Sequence, residues 1–444
     1  MGAAVHTYRY RSGSRVGERS RSVGLATSGG TALTGPSVHP FFYRGRLPAS
    51  AAEGLLAVAK VAHTRYYQPS GRASLDPVVT CSGDRLRFEA FSGCCGVYAR
   101  LDVLSGALDG EVVDRGTTNV DVNEPLRRAL SRVVGRDPLH LSVGSDRMVV
   151  TTREAAVEER KVPLPTRWLR GFAETQVITA GFDLRAELAG PDAVRFVRSL
   201  PRSARGPVWA VPAGRTLRLS GRPAAGAVCL AGPYRLEALG PLLPHARSMR
   251  VYGPAVPSVP SRDRRPSVSA WELDLGHQRL VLVLSPEISR GLSGEGAVLD
   301  ALTAPDGESD AELVGSLLTF EPRVDIADLV ERSGLSEARV RAALTRLGTS
   351  GRVGFDLAES AHFHRELPFD RRVALAANPR LVNAKALAAG GAVRVESDAV
   401  VVTAAGREYR VVGTSCSCTW WMEYRGTRGK CQHVLAADIV RGQS

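Results

Sequence analysis

The chain of 444 residues has no apolar run that could cross a membrane. A membrane helix needs roughly 18 consecutive apolar residues, whereas the longest runs here, such as Leu280 to Leu284, have the length of a strand. The N-terminus also lacks an apolar stretch after its positive charges, so a secretory signal is not expected. We therefore expect a cytoplasmic protein with no membrane partner.

Motifs of the common catalytic machineries are missing as well. The sequence contains no G-x-x-x-x-G-K-S/T phosphate-binding loop, no H-E-x-x-H zinc helix and no G-x-S-x-G nucleophile turn. His362 and His364 would share one strand face, but no partner at fixed spacing marks them as metal ligands, and core or surface histidines are preferred. We predict a protein without enzymatic activity, although an enzyme within residues 39–300 stays open.

Cysteine is sparse and odd in number, with seven residues in the chain. An odd number without a secretory signal argues against a disulfide framework and indicates a reducing compartment. Cys81, Cys94, Cys95 and Cys229 are expected to be buried apolar thiols. A redox role for Cys94 and Cys95 is the alternative.

Lysine is scarce too, because only four lysines accompany 54 arginines in a chain of net charge +13. Residues 1–60 hold eight Lys/Arg and two Asp/Glu, and residues 371–444 hold eleven and five, so each end carries +6. The basic ends are therefore where a polyanion would bind. Codon bias in a GC-rich genome, with arginines on solvated faces, is the alternative explanation.

The patterning predicts a multidomain α+β protein. We divide the chain into a disordered basic arm (1–38), a mixed α/β domain (39–205), a β-rich region (206–300), a winged-helix-like segment (301–370) and a small C-terminal domain (371–444). Apolar and charged residues alternate over 85–90, as in a strand with one buried face. Asn123 followed by Pro125 predicts the start of a helix.

Residues 310–357 predict three short helices followed by a strand, which is the order of a winged helix-turn-helix. Ser336 would cap the third helix. Arg339, Arg341 and Arg346 on that helix would then lie where a recognition helix contacts DNA. A small helical packing module fits the same pattern, and both interpretations stay open.

The chemistry concentrates in the last thirty residues. Cys416 and Cys418 would point to the same face of an extended segment, and Cys431 and His433 repeat this spacing after a spacer of twelve residues. A closed set of three thiolates and one imidazole is typical of structural Zn²⁺, because no coordination position stays open for a substrate. We predict that these four residues bind Zn²⁺.

The C-x-C, spacer, C-x-H pattern resembles the SWIM zinc finger. The predicted strands 393–395, 400–402 and 407–412 and the helix after His433 match the flanks of that family, in a resemblance that covers about residues 372–444. The arrangement is similar to SWIM proteins of bacterial, actinobacterial type. The resemblance implies a zinc-binding SWIM domain that contacts DNA or another protein. No helicase, transposase or RING motif accompanies it.

The spacer between the two ligand pairs interleaves aromatic rings with cations. Its predicted nucleic-acid-binding residues are Trp420, Trp421, Arg425, Arg428 and Lys430, because rings stack on unpaired bases and cations contact phosphates. The alternative is that a Trp packs the small core and the cations are solvated. The first functional hypothesis is nucleic-acid binding, with DNA preferred, and the second is an adaptor that binds a protein partner in a larger complex.

Overall fold

The computed structural model describes residues 15–17, 22–24, 41–68, 77–161, 164–202, 204, 206–255, 265–303, 307–367 and 378–442. The predicted disordered arm, residues 1–38, lies outside this range except for β1 (Arg15–Gly17) and β2 (Ser22–Gly24), which pair antiparallel. The fold is α+β, and its named strands all pair antiparallel in the described ranges. No helix described there is long and apolar enough to span a membrane.

An eight-stranded sheet forms the centre of the chain. In spatial order its strands are β12 (Phe182–Ala189), β16 (Ser248–Pro254), β17 (Ser269–Asp274), β18 (Gln278–Leu284), β6 (Val97–Leu104), β5 (Arg85–Phe91), β4 (Val78–Cys81) and β8 (Gly116–Asn119). The sheet takes strands from both sides of residue 205, so the boundary predicted at 205/206 runs through one sheet. The sequence pattern did not predict this, because pairing between strands that are distant in the sequence has no local sequence signal.

Two smaller sheets flank this one. The five-stranded sheet has the order β11 (Ala156–Arg160), β10 (Arg147–Thr151), β9 (Leu139–Val143), β3 (Tyr43–Leu47) and β7 (Asp109–Val112). The three-stranded sheet has the order β14 (Thr216–Ser220), β13 (Pro207–Ala213) and β15 (Val228–Ala231).

The helices of this region cover the sheets. They are α1 (Ser50–His63), α2 (Glu124–Ser131), α3 (Thr166–Ala180) and α4 (Gly190–Arg198), with 3₁₀ turns at Ser105–Ala107, Pro233–Leu239, Leu243–His245 and Leu292–Gly294. Helix α1 contacts β5, β6 and α2. The backbone N–H of Leu126 donates to the Asn123 side chain, so the helix start predicted there is confirmed.

A helical region follows the large sheet. It comprises α5 (Leu299–Thr303), α6 (Gly307–Leu317), α7 (Ile326–Ser333), α8 (Glu337–Thr349) and the hairpin β19 (Val353–Asp356) and β20 (Ala361–His364). The three predicted helices and the strand after them are present, and Ser336 caps α8 as predicted. Val314, Leu329, Val340 and Leu344 belong to a core of their own. Helix α8 also contacts α3.

The charged face of β5 is buried, contrary to the prediction of a half-buried strand. Asp356, in the hairpin β19–β20, lies 3.3 Å from a guanidinium nitrogen of Arg87 and 3.1 Å from one of Arg100. It also lies 3.0 Å from Arg279 of β18. Arg100 forms a second ion pair, with Asp102, at 2.9 Å. These five buried residues are named the arginine–carboxylate cluster.

The C-terminal region begins with α9 (Pro379–Ala389). The sheet β21 (Val393–Val395), β22 (Val400–Ala404), β23 (Arg407–Val412) and β24 (Ser415–Cys416) follows, and then α10 (Thr419–Tyr424) and α11 (Gln432–Arg441). Leu381 of α9 and Leu435 of α11 share a core with Ala173 of α3 and Leu302 of α5. The region therefore packs on the rest of the chain.

Candidate metal centre

The first ligand pair is positioned by a tight hairpin between β23 and β24. Gly413 has φ +57°, which favours glycine, and it lets the chain reverse so that Cys416 pairs with the end of β23. Cys416 and Cys418 are buried whereas Ser417 is exposed, as the predicted alternation requires. The Cys418 side chain caps α10 and accepts a hydrogen bond from the backbone N–H of Trp421, with N and Sγ 3.4 Å apart.

The second pair of predicted ligands lies at the start of a helix. Cys431 is the N-cap residue of α11, with extended backbone dihedrals, and His433 lies in the first turn. A helix after His433 was predicted, and the structure contains it, beginning at Gln432. The positive end of the helix dipole therefore faces the Cys431 thiol, where it favours negative charge.

The four donor atoms converge. The sulfur atoms of Cys416, Cys418 and Cys431 and a ring nitrogen of His433 all lie within 4.8 Å of one another. The residues are between 1% and 6% exposed. This buried group could hold a metal ion, and its S₃N donor set matches the preference of Zn²⁺. We call the four residues and the spacer 419–430 together the knuckle.

The three thiols cannot all ionise side by side without a cation. A hydrogen bond from Cys416 lowers the pKa of the Cys431 thiol to about 4, whereas the same hydrogen bond, together with burial, raises the pKa of Cys416. Burial also raises the pKa of Cys418. The proton of the Cys416 thiol thus stabilises the Cys431 thiolate. A bound cation would take over this role and allow Cys416 to ionise as well.

The imidazole of His433 is oriented by its neighbours. Its ring stacks on Tyr409 with centroids 4.1 Å apart, and Nδ1 lies 3.7 Å from the sulfur of Cys416. Nε2 lies 3.4 Å from the side-chain amide of Gln432. If Nδ1 binds the metal, Nε2 carries the proton. Nε2–H can then donate a hydrogen bond to the Gln432 side-chain oxygen, after a flip that exchanges the amide oxygen and nitrogen.

The spacer differs from the predicted nucleic-acid surface. The guanidinium groups of Arg380 and Arg428 both lie over the ring of Trp420, at 4.7 and 5.2 Å from its centroid. Lys430 forms an ion pair with Asp438 at 3.0 Å. Trp420 and Arg428 are half-buried and contact other protein groups, because a domain this small uses them for packing.

Of the five predicted contact residues, Arg425 is exposed and Trp421 is half-buried. Trp421 packs against the knuckle core and lies beside Gly426. The structure thus brings the predicted aromatic and basic residues together, but as internal contacts of the spacer more than as a free surface.

The knuckle is docked on the segment that follows the large sheet. Arg380 and Arg428 both donate hydrogen bonds to the carbonyl oxygen of Gly294, at 3.3 and 3.2 Å. A Cβ on Gly429 would overlap the carbonyl oxygen of Gly296, so only glycine permits this approach. On the other side, Glu174 of α3 accepts hydrogen bonds from the backbone N–H of Gly296, at 2.6 Å.

Sequence reasoning missed Arg380, Glu174 and the two glycines. Each acts through a partner far away in the sequence, and no motif marks it. Gly296 and Gly429 have positive φ, +82° and +70°, which explains the choice of glycine there but is visible only in the structure.

The arginines of the predicted recognition helix have acidic partners. Arg339 forms an ion pair with Asp310 at 2.6 Å, and Arg341 with Glu337 at 2.7 Å. Arg346 lies 3.7 Å from a carboxylate oxygen of Glu308. These contacts reduce the positive charge that α8 would present to DNA.

His362 and His364 are buried residues of β20, in agreement with the preferred interpretation as core histidines. The backbone N–H of Phe320 donates to Nδ1 of His364 at 2.7 Å, which requires an unprotonated nitrogen there. Burial lowers the pKa of His362 to about 4 and that of His364 to about 3.

Neither family models nor curated proteins match this chain. Among solved structures, it is similar to proliferating cellular nuclear antigen (PCNA) from Entamoeba histolytica, with 10% identity and TM-score 0.34 over 56% of this chain and 99% of that one. It is also similar to A. fulgidus PCNA bound to the C-terminal region of FEN-1 (8%, 0.35, 55% and 97%) and to the PCNA2–PCNA3 complex from Sulfolobus tokodaii (9%, 0.38, 55% and 99%). The similarity extends over little more than half of this chain in each case.

Proposed function

We propose that this chain is a SWIM-type protein without enzymatic activity, in which a structural Zn²⁺ stabilises a C-terminal binding module. The observation that supports zinc binding is the convergence of four buried donor atoms within 4.8 Å of one another. Three sulfurs and one imidazole nitrogen complete a tetrahedral Zn²⁺ shell, which leaves no position for a substrate. The ion would supply positive charge and fix the two ends of the spacer.

Cobalt substitution tests this site. Co²⁺ added to the metal-free chain should give sulfur-to-metal charge-transfer absorption and the intense visible bands of a tetrahedral ion, and Zn²⁺ should displace it. Cys418→Ser should weaken the charge-transfer band. Cys94→Ser is the matched control, because that half-buried thiol lies outside the knuckle. An octahedral Co²⁺ spectrum in the wild-type chain would rule the site out.

Nucleic acid is the first candidate partner, on the basis of the net charge of +13. In residues 378–442, four exposed cations form no ion pair with a carboxylate of the described chain: Lys385, Arg407, Arg425 and Arg441. They are the surface that we propose for phosphate contacts. Of the predicted spacer set, only Arg425 belongs to it.

A salt titration with labelled single-stranded and duplex DNA and RNA tests this surface. Replacing the four cations by Ala should weaken binding and reduce the salt slope for duplex DNA by up to about 3.5. The control is Arg394→Ala with Arg410→Ala, because Glu396 and Asp398 already neutralise these arginines. Equal losses in the two variants would contradict the proposed surface.

A protein partner is the second candidate, and the exposed apolar side chains favour it. Of the nine large apolar side chains that are exposed in the described residues, four lie in the C-terminal region: Val382, Val395, Val412 and Met422. Wild-type protein that binds no DNA or RNA at low salt would make this adaptor role the better account.

A further inference from the structure

A cavity far from the knuckle lies where α1, α4 and the 3₁₀ helix Pro233–Leu239 meet. Its volume is about 380 Å³, within the range of small-molecule sites, which is roughly 300–1,000 Å³. Val197, Leu200 and Leu243 contribute apolar walls. The half-buried ring of Tyr234 contributes a flat one.

Three cations line this cavity: Lys60 near the end of α1, Arg198 at the end of α4, and Arg202 just beyond it. Each is exposed, and none has an ion pair with a carboxylate of the described residues. Glu237 is the one acidic residue in the lining. Three positive charges and one negative charge leave the lining with an excess of two.

The charge excess matches a phosphate monoester, which carries nearly two negative charges at neutral pH because its second pKa is about 6. Guanidinium groups also bind phosphate oxygens with two parallel hydrogen bonds. Glu237, a poor neighbour for phosphate, can instead accept hydrogen bonds from hydroxyl groups of the ligand. The ring of Tyr234 and the apolar walls suit a planar, uncharged body.

We propose that this cavity binds a nucleoside 5′-monophosphate group. The cations hold the phosphate, Glu237 accepts from the ribose hydroxyls and the base contacts the apolar walls. The group can come from a free nucleotide or from the 5′-phosphorylated end of a nucleic acid strand. The site does not depend on zinc or on the partner proposed for the C-terminal region.

Calorimetric titration of the full chain with adenosine 5′-monophosphate, adenosine and inorganic phosphate tests the proposal. The monophosphate should bind more tightly than either fragment. Arg198→Ala with Arg202→Ala should weaken its binding by about tenfold or more, the loss expected for removed hydrogen bonds between charged groups. Arg195→Ala is the matched control, because this exposed arginine lies one turn earlier on α4 and pairs with Asp192 outside the lining.

Glu237→Gln separates the two parts of the site. The variant should bind inorganic phosphate more tightly than wild type does. Its preference for the monophosphate over inorganic phosphate should decrease. A nonspecific basic patch would instead bind both anions more tightly in the variant. Short DNA with and without a 5′-phosphate distinguishes the two ligand sources, since only a phosphorylated end that competes with the mononucleotide uses this cavity. No saturable monophosphate binding at millimolar concentrations, or equal losses in the Arg195 control and the double variant, would overturn the proposal.

Discussion

The knuckle and the arginine–carboxylate cluster are both buried groups of polar side chains, and they balance charge in opposite ways. In the cluster, Arg87, Arg100 and Arg279 surround Asp102 and Asp356, so each charge has a partner from the chain itself. Burial opposes ionisation of Asp356, but the guanidinium groups of Arg100, Arg279, Arg87 and Arg85 outweigh it and hold its pKa well below the ordinary value. In the knuckle the acidic groups are three thiols, and the imidazole of His433 is the one basic side chain in the four-residue donor set.

The comparison teaches that burial alone does not tell what a polar cluster needs. In the cluster, both carboxylates are paired with arginines once the hairpin β19–β20 meets the large sheet. The knuckle reaches its compact form only if protons or an external cation compensate three sulfurs. We therefore expect metal removal to affect the knuckle alone, and loss of one carboxylate to affect the cluster alone.

The largest expected effect is that of metal removal. Binding of structural zinc contributes on the order of 10 kcal/mol to the folding of small zinc domains. Chelation should therefore open the spacer, and trypsin should cleave after Arg425, Arg428 or Lys430, while the strands of the large sheet stay resistant. Mass spectrometry of the digest identifies the sites.

Two controls define this result. Zinc added back should restore resistance, and Cys418→Ser should be cleaved in the same places without a chelator. Cleavage that starts within the large sheet on chelation would mean that the knuckle supports the entire chain.

The next effect in size concerns the cluster. Asp356→Asn keeps the shape of the side chain but leaves buried arginines uncompensated, which destabilises proteins by about 3–5 kcal/mol. Chemical denaturation measures the loss, and zinc content should stay unchanged. Asp398→Asn is the control, because this carboxylate is 71% exposed where it pairs with Arg410, and it should contribute less than about 1 kcal/mol. Equal effects of the two substitutions would contradict the role of the cluster.

Acid should weaken the hairpin that completes the cluster. The folded-state pKa of His364 is lowered from 6.5 to about 3, so the unfolded chain takes up a proton first as the pH falls. The stability from this residue is present above pH 6.5 and decreases below it, by about 2 kcal/mol between pH 6.5 and about 5.

His364→Asn removes this pH dependence, since an amide oxygen can accept from the Phe320 N–H without titrating. Denaturation at several pH values should show a shallower slope in the variant by about one proton. The exposed His245, replaced by Asn, serves as the control. Parallel slopes in wild type and His364→Asn would disprove the assignment.

An effect of similar size is expected where the knuckle touches the rest of the chain. Gly429→Ala should cost about 1 kcal/mol for its positive φ and about 1–3 kcal/mol more for the overlap with Gly296. Gly406→Ala is the matched control, because its φ of +72° is nearly the same and no atom lies within 4 Å of a Cβ there. Thermal melting measures both, and equal losses would show that the contact carries no stability.

The cluster of three cysteines and one histidine and several helix starts were predictable because their signals are local. Two cysteines on one face of a short segment depend only on neighbouring residues. The same is true of the helix cap Ser336, which accepts a hydrogen bond from the backbone N–H of Arg339, three residues later. The burial of Arg87 was not predictable, since Asp356 lies far away in the sequence. The contact of Arg380 with Trp420 was hidden in the same way, which is one reason why the spacer resembled a free surface.

The measurement that tests the central claim most directly is the zinc content of the purified chain, taken together with the reactivity of its thiols. Wild-type protein should contain one zinc per chain, and Cys431→Ser should contain none, while Cys416, Cys418 and Cys431 of the wild type resist alkylation until a chelator is added. A wild-type chain without zinc, with all three of these thiols alkylated at once, would contradict the account.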